Sequence, residues 1–473
     1  MIMIMAYVEK ALGWYTGFIL VFFFAINTYY LVLTAAGFWR TIRVAREVRR
    51  PDQRRLLRSP LTPPISVLAP AFNEEANVVE NVRSLLMIDY PLFEVILIND
   101  GSRDRTLGRL IDAFDLRRSA RCFERVLACK SIRGVYDSPI YPNLLVVDKA
   151  NGGKADALNA GLNLSLYPLF CAIDADSILE SDALLRLVRP FVDAPGVTIA
   201  AGGVVRVANG CDIHGGRVHQ VRLPRRALPL IQIVEYLRAF LFGRMGWSTG
   251  NSLLVISGAF GLFEKRAAIL AGGYATDSVG EDMELVVRMH RKRRELRQPY
   301  RIGFVPDPIC WTEVPDTLRV LRRQRTRWQR GLIDTLVRHR AMIGRPRFGT
   351  VGMISLPGFV MFEMLSPLVE LSGYVLLPVL WALGLLNLSG AFVFFVLAIV
   401  YTVLVSALAV LLEDIAFRRY PRVWDLGRLL LGAVLENFGY RQLTVWWRVR
   451  AFWEYLRGDL TWGAMERQGV RAA

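Results

Sequence analysis

The sequence predicts an α/β domain, a mainly parallel sheet with helices on both faces, inserted between transmembrane α-helices. Three stretches carry this expectation. Residues 11 to 39 hold no charged side chain, more than the ~20 residues that a bilayer span requires. From 65 to about 330, short apolar runs alternate with polar turns and helical stretches, the pattern of parallel strands buried on both faces. Residues 371 to 412 are again uncharged, enough for one span and most of a second.

Composition points the same way. The chain has 473 residues, 53% of them hydrophobic, too long for one soluble domain and too apolar for two. Its five cysteines, Cys122, Cys129, Cys171, Cys211 and Cys310, show no C-x-x-C spacing, and there are four histidines. A disulfide framework, a zinc knuckle and a His-rich metal site are therefore not expected, and a reducing compartment fits. The formal charge of +17 raises the question of nucleic acid. The basic residues, however, sit beside apolar segments, as in the run from Arg40 to Arg58. Such runs read as cytoplasmic flanks that meet anionic membrane lipids, and no nucleic-acid module is recognisable.

The expected order starts with an N-terminal transmembrane helix (1–40) and a basic linker (41–64) carrying Pro51, Pro60, Pro63 and Pro64. The α/β domain follows (65–331), then an interfacial segment (332–347), transmembrane or interfacial helices (348–447) and a basic tail (448–473). The first apolar stretch is too long for a signal-peptide core, so it is expected to stay, with its N-terminus outside. Glu363 and Glu370 lie seven apart and share a helical face, suited either to a protein interior or to the headgroup level. Arg418, Arg419 and Arg422 mark a return to the cytoplasm. Residues 426 to 447, interrupted by Arg428, Glu436 and Arg441, fit a further span or a helix lying in the interface.

Within the α/β region the polar residues that follow each apolar run carry the chemistry. The runs are Ile65–Ala69, Glu94–Ile98, Leu144–Val147 and Leu169–Ile173, and ligands of parallel sheets bind at the carboxyl ends of such strands. Asp174-Ala175-Asp176 follows the last of them. Residues i and i+2 of an extended chain point to one side, so both carboxylates can approach one Mg²⁺ or Mn²⁺ ion together with diphosphate oxygens. Before it stands Lys149-Ala150-Asn151-Gly152-Gly153-Lys154, in which the glycines let backbone N–H groups approach phosphates and Lys154 adds a point charge. Asn73 and Glu74 follow the first run, and Asn99 and Asp100 the second. Glu74 and Asp100 can accept hydrogen bonds from a ribose or a base, while Asn73 and Ser102 equally suit helix capping.

Gly280-Glu281-Asp282 opens a helix and supplies a carboxylate able to take the proton of an attacking hydroxyl. A helix N-terminus lowers the pKa of Asp282, whereas Glu281 beside it raises it. Gln324-Arg325-Thr326-Arg327-Trp328 closes the region with an amide, a guanidinium for a leaving diphosphate and an indole for stacking on a sugar ring. An interfacial helix with an anchoring Trp explains the same residues.

Together these motifs resemble glycosyltransferase family 2, and within it the membrane-bound processive polysaccharide synthases that make poly-N-acetylglucosamine, chitin oligosaccharides, hyaluronan and cellulose. The resemblance covers residues 65 to 331 and the flanking membrane helices. It implies a GT-A fold, a UDP-sugar donor, a Mg²⁺ or Mn²⁺ cofactor, inversion at the anomeric carbon and a β-linked product. By residue, it implies that Asn73, Glu74, Asp100, Lys154, Asp174, Gln324 and Arg327 bind the donor, and that Asp174 and Asp176 hold the metal. Asp282 would be the base, and Trp328, Ser257 and Gly258 would contact the acceptor. The pair Asn99-Asp100 departs from the family, which carries two acids there. Residues 205 to 250 match no function. The expected enzyme is a multi-pass protein of a bacterial inner membrane, its catalytic domain cytoplasmic, extending a polysaccharide and coupled to export, with an accessory membrane subunit possible. Two rivals stand beside this reading, single-sugar transfer to a lipid carrier, in which the acceptor is lipid-linked, and a catalytically silent membrane scaffold.

Overall fold

The computed structural model describes residues 2–47, 55–174, 177–420 and 422–458. The apolar runs form strands because each can bury both faces: Ile65, Val67, Leu68 and Ala69 in the first are fully buried. The strands are β1 (Ile65–Ala71), β2 (Phe93–Asn99), β3 (Arg117–Arg118), β4 (Ile132–Asp137), β5 (Leu144–Lys149), β6 (Leu169–Ile173) and β7 (Ile178–Leu179). They continue with β8 (Thr198–Val207), β9 (Asp212–His214), β10 (Arg217–Gln220), β11 (Phe260–Glu264) and β12 (Arg301–Thr312).

Ten of them make one sheet in the order β3-β4-β5-β2-β1-β6-β11-β8-β12-β7. Its core, β5-β2-β1-β6, is parallel, as expected. The whole sheet is mixed: β11 runs antiparallel to both neighbours, and antiparallel strands close both edges. β11 starts beside the end of β6, with Phe260 opposite Ile173. That reversed entry brings residues 257 and 258 next to Asp174, which a parallel strand would have sent to the far edge.

Among the described residues three helices are long and apolar enough to cross a membrane: Lys10–Val44, Val351–Ala382 and Leu388–Ala416. The turn between the last two has Gly384 at φ +68° and is closed by Asn387, whose side chain accepts from the backbone N–H groups of Ser389 and Gly390. Beyond the third, Val423–Leu435 packs on Ala227–Glu235 and Arg441–Leu456 on Leu318–Arg338. The chain kinks between them at Phe438 and Gly439. Residues 426–447 are therefore bent helices that pack on the domain and on the membrane helices Ser366–Ala382 and Tyr401–Ala416.

The stretch that matched no function, 205 to 250, forms the end of β8, the β9–β10 hairpin and a helix over 227–249. Trp247 on this helix packs against Tyr29 and Phe359 of two membrane helices. Arginine–carboxylate pairs complete the junction. Arg206 of β8 meets Glu413 at 2.8 Å with exposures of 3% and 2%, and Arg441 meets Glu370 at 2.9 Å. Glu363 accepts from Tyr30 Oη at 2.7 Å. Glu370 thus faces a protein interior, while Glu363 stays partly exposed.

A buried ion pair is costly to break from one side. Glu413→Ala is expected to destabilise the protein by about 3–5 kcal/mol, because it leaves the Arg206 charge buried alone. Arg206→Met with Glu413→Leu should recover most of that loss. Asp316→Ala, which breaks an exposed pair with Arg226, should cost under about 1 kcal/mol. Thermal unfolding in detergent measures all three, and a single Glu413→Ala no worse than Asp316→Ala would remove the junction pair from its role.

Candidate active site

The strands β1, β2 and β6 are in register and end side by side, so the loops after them share one edge of the sheet. Asp174 stands directly after β6. From the loop after β5, the helix Lys154–Leu164 begins, and Lys154 Nζ reaches across to Asp174 Oδ1 (2.5 Å) and the carbonyl of Gly258 (3.0 Å). Glu281 Oε1 lies 3.8 Å from the same ammonium. Burial acts to lower the Lys154 pKa, but Asp174, Glu281 and Asp282 outweigh it and hold the group above its ordinary value.

Asp282 sits in the first turn of the helix Glu281–Glu295. Its Oδ2 accepts from the Gly258 N–H at 3.0 Å and its Oδ1 from the Met283 N–H at 2.8 Å, which orients the carboxylate. Gly280, just before it, lies against Gly331 so closely that a Cβ on either would stand 2.9–3.0 Å from the other's Cα. That approach brings the helix Leu318–Arg338, with Gln324, Arg327 and Trp328, up to Asp282. Glu281 is buried, and burial pushes its carboxyl up to about 7 against the pull of Lys154, with Asp282 adding to the rise. Burial thus overrides the helix N-terminus at this position.

These groups surround a cavity of about 770 Å³. Of the residues expected from the sequence, Lys154, Asp174, Ser257, Gly258, Asp282, Gln324, Arg327 and Trp328 all line it. Gln324 Oε1 is buried and accepts no hydrogen bond among the described residues. The sequence reading missed Tyr236, Phe240 and Arg244 from the 227–249 helix, and Phe359 and Glu363 from the membrane helix, which line the same cavity. The spacing of four between Tyr236, Phe240 and Arg244 was the available signal, since it puts them on one helical face.

Asn73, Glu74 and Asp100 lie at the neighbouring strand ends, outside this lining. Asp100 is placed differently from the expectation. Its carboxylate is 3% exposed and accepts from Lys149 Nζ (2.6 Å) and from the N–H groups of Gly152 (3.0 Å) and Gly153 (2.7 Å). It is turned inward to hold the loop, and the two glycine N–H groups assigned to phosphate are already taken. Asn73 and Ser102 do not cap helices either, since those helices start at Val78 and Thr106. They join the two loops: Ser102 Oγ accepts from the Asn73 N–H, and Asn73 Oδ1 accepts from the Arg103 N–H. Glu74 is fixed through its N–H to Thr106 Oγ1. Asp176 lies outside the described residues.

Of the two carboxylates expected to hold a divalent cation, Asp174 faces the cavity with its Oδ1 paired to Lys154. Among the described residues no group of three or more His, Cys, Asp or Glu side chains gathers to hold a metal, so substrate diphosphate oxygens would have to supply the remaining donors.

The model of glycosyl transferase family group 2 matches residues 169–412, more than half of the chain. The chain belongs to this family. A second model, glycosyl transferase family 2, matches residues 66–125 of the glycosyltransferase. The enzyme is 27% identical over 333 residues to the poly-β-1,6-N-acetyl-D-glucosamine synthase of Staphylococcus epidermidis, covering 70% of this chain and 67% of that protein. It is 28% identical over 275 residues to the Staphylococcus aureus (strain COL) protein of the same name, covering 58% of this chain and 56% of the other. Among solved structures, a mannosyltransferase from Pyrobaculum calidifontis in complex with GDP-Man and Mn²⁺ aligns with 88% of this chain and 99% of its own, at 18% identity and a TM-score of 0.48.

The raised Glu281 pKa gives a stability signature. Between its ordinary value of 4.5 and about 7, the folded state keeps a proton that the unfolded chain releases. This contribution is complete below 4.5 and is lost as the pH rises through 7. In the absence of donor, Glu281→Gln should lack that decline and be more stable than the wild type at pH 8. Parallel melting curves of the two proteins across this range would remove the assignment.

Proposed function

We propose that this glycosyltransferase is a processive polysaccharide synthase that uses a UDP-hexose, UDP-N-acetylglucosamine or UDP-glucose, and extends a β-linked polymer from the cytoplasmic face of the membrane. The observation that carries the reading is the continuity of one cavity. It runs from Lys154 and Asp174 past Asp282 and Trp328 to Phe359 and Glu363 on a membrane helix. An acceptor held at Trp328 therefore has its far end directed at the membrane helices, the arrangement that extrusion of a growing chain requires. The similarity to two poly-β-1,6-N-acetyl-D-glucosamine synthases supports the same reading and the choice of sugar. Arginines flanking the spans support the cytoplasmic side.

The chemistry follows from the positions. Asp282, partly open to the cavity and oriented by the Gly258 and Met283 N–H groups, takes the proton of the acceptor hydroxyl. The hydroxyl oxygen then bonds to the anomeric carbon of the donor as the bond to the diphosphate breaks on the opposite side, which inverts the configuration. Lys154 and Arg327 stabilise the negative charge that gathers on the diphosphate. A Mg²⁺ or Mn²⁺ ion held by Asp174, with Asp176, would supply Lewis-acid stabilisation of the same charge. Trp328 and Phe240, with ring centroids 5.7 Å apart, offer apolar faces to the acceptor sugar.

Incubation of the purified enzyme with single labelled UDP-sugars should give products of many units, lost in chelator and restored by Mn²⁺ or Mg²⁺. A single added sugar on a lipid would replace polymer synthesis by transfer to a lipid carrier, and full activity in chelator would exclude the metal. Asp282→Asn should lower turnover by about 10²-fold or more, the scale of a lost positioned base. Donor affinity should change little, because that carboxylate acts chiefly in the transition state. Initial rates beside calorimetric titration of donor separate the two effects. Near-normal turnover, or loss of donor binding, would take the role of base away from Asp282.

A further inference from the structure

Arg244 is a cation of the cavity wall that the motifs leave unexplained. It lies on the 227–249 helix, on the face from which Tyr236 and Phe240 also line the cavity. The residue is 8% exposed, and its guanidinium lies 4.3 Å from the centroid of the Phe240 ring. Among the described residues it makes no hydrogen bond or ion pair, and its Nη1 is buried without a partner. Other buried arginines hold carboxylates: Arg206 pairs with Glu413 and Arg325 with Glu235. Burial lowers the Arg244 pKa to about 10, against the pull of Asp282, so the group is charged at neutral pH.

A buried cation held by one aromatic face, with no hydrogen-bond or ion-pair partner, is a cost to the folded state. Such costs persist where a ligand offsets them. Position indicates which ligand. Phe240, under the guanidinium, packs against the Trp328 ring, and Asp282 is the acid whose charge acts on Arg244. Lys154 and Asp174 occupy each other instead. Arg244 therefore stands on the side of the base and the indole.

We propose that Arg244 is an acceptor-binding residue. Its N–H groups donate to hydroxyl or amide carbonyl oxygens of the acceptor's terminal sugars, which lie beside the packed Phe240–Trp328 pair. This deepens the synthase reading above and rests on it.

The test uses the full-length enzyme with UDP-N-acetylglucosamine as donor and a short β-linked N-acetylglucosamine oligosaccharide as acceptor. Arg244→Gln should raise the acceptor KM about tenfold or more, the scale of a lost hydrogen bond from a charged group. Arg244→Lys, which keeps the charge, should recover part of this. Donor affinity, read by calorimetry, should stay within about twofold. The Tm of Arg244→Gln should be unchanged or higher, because an unpartnered buried charge has been removed. An unaltered acceptor KM, a tenfold loss of donor affinity, or a lower Tm without a change in acceptor KM would each overturn the assignment. A wild type that transfers from no UDP-sugar sinks the synthase reading and this inference with it. Wild-type transfer with an unaltered acceptor KM in the variant sinks this inference alone.

Discussion

Lys149 is fully buried at the end of β5, and an ammonium is tolerated there only with carboxylates around it. Asp100 and Asp156 supply them at 2.6 and 2.5 Å. Asp100 comes from the end of β2 and Asp156 from the first turn of the helix that opens with Lys154. The network therefore ties two strand ends and a helix start together, and the backbone N–H groups of Gly152 and Gly153 complete it. Everything downstream depends on that clamp. It sets where Lys154 emerges, and so where a positive charge meets Asp174 and the Gly258 carbonyl.

A second set of buried charges does the same work on a larger scale. Glu413 and Glu436 meet Arg206 and Arg238 of the domain, and Glu370 meets Arg441 between two of the helices that follow it. Pairs of this kind contribute little net stability compared with apolar packing, yet they tolerate few alternative arrangements, because any slip leaves a charge buried alone. The cavity uses this rigidity. Its walls come from the sheet edge, the 227–249 helix, the helix Leu318–Arg338 and the membrane helix carrying Phe359 and Glu363. The α/β domain by itself would lack one wall of the cavity, which the membrane helix completes.

The parallel core, the apolar spans and many of the polar residues that line the cavity were legible in the sequence because their signals are local. A strand buried on both faces must be continuously apolar, and a span must be long and uncharged, so β1, β2, β5, β6 and the membrane helices announce themselves. Asp174, Asp282 and the Gln324–Trp328 group each follow or open such an element, and the cavity collects them. What failed was any reading that needed a distant partner. Asp100 reads as a ligand contact until Lys149, 49 residues away, is seen beside it. Residues 257 and 258 reach Asp174 only because β11 enters the sheet backwards.

The sequence by itself determined the class of domain, the presence of long apolar helices and a set of polar groups at strand and helix ends, because periodicity, length and residue type act over a few turns of chain. Only the tertiary structure decided which carboxylates face the cavity and which brace it. It alone laid the last helices on the domain and joined the site to the membrane helix. Those outcomes depend on burial and on pairing between residues far apart in the chain, and no local pattern encodes either.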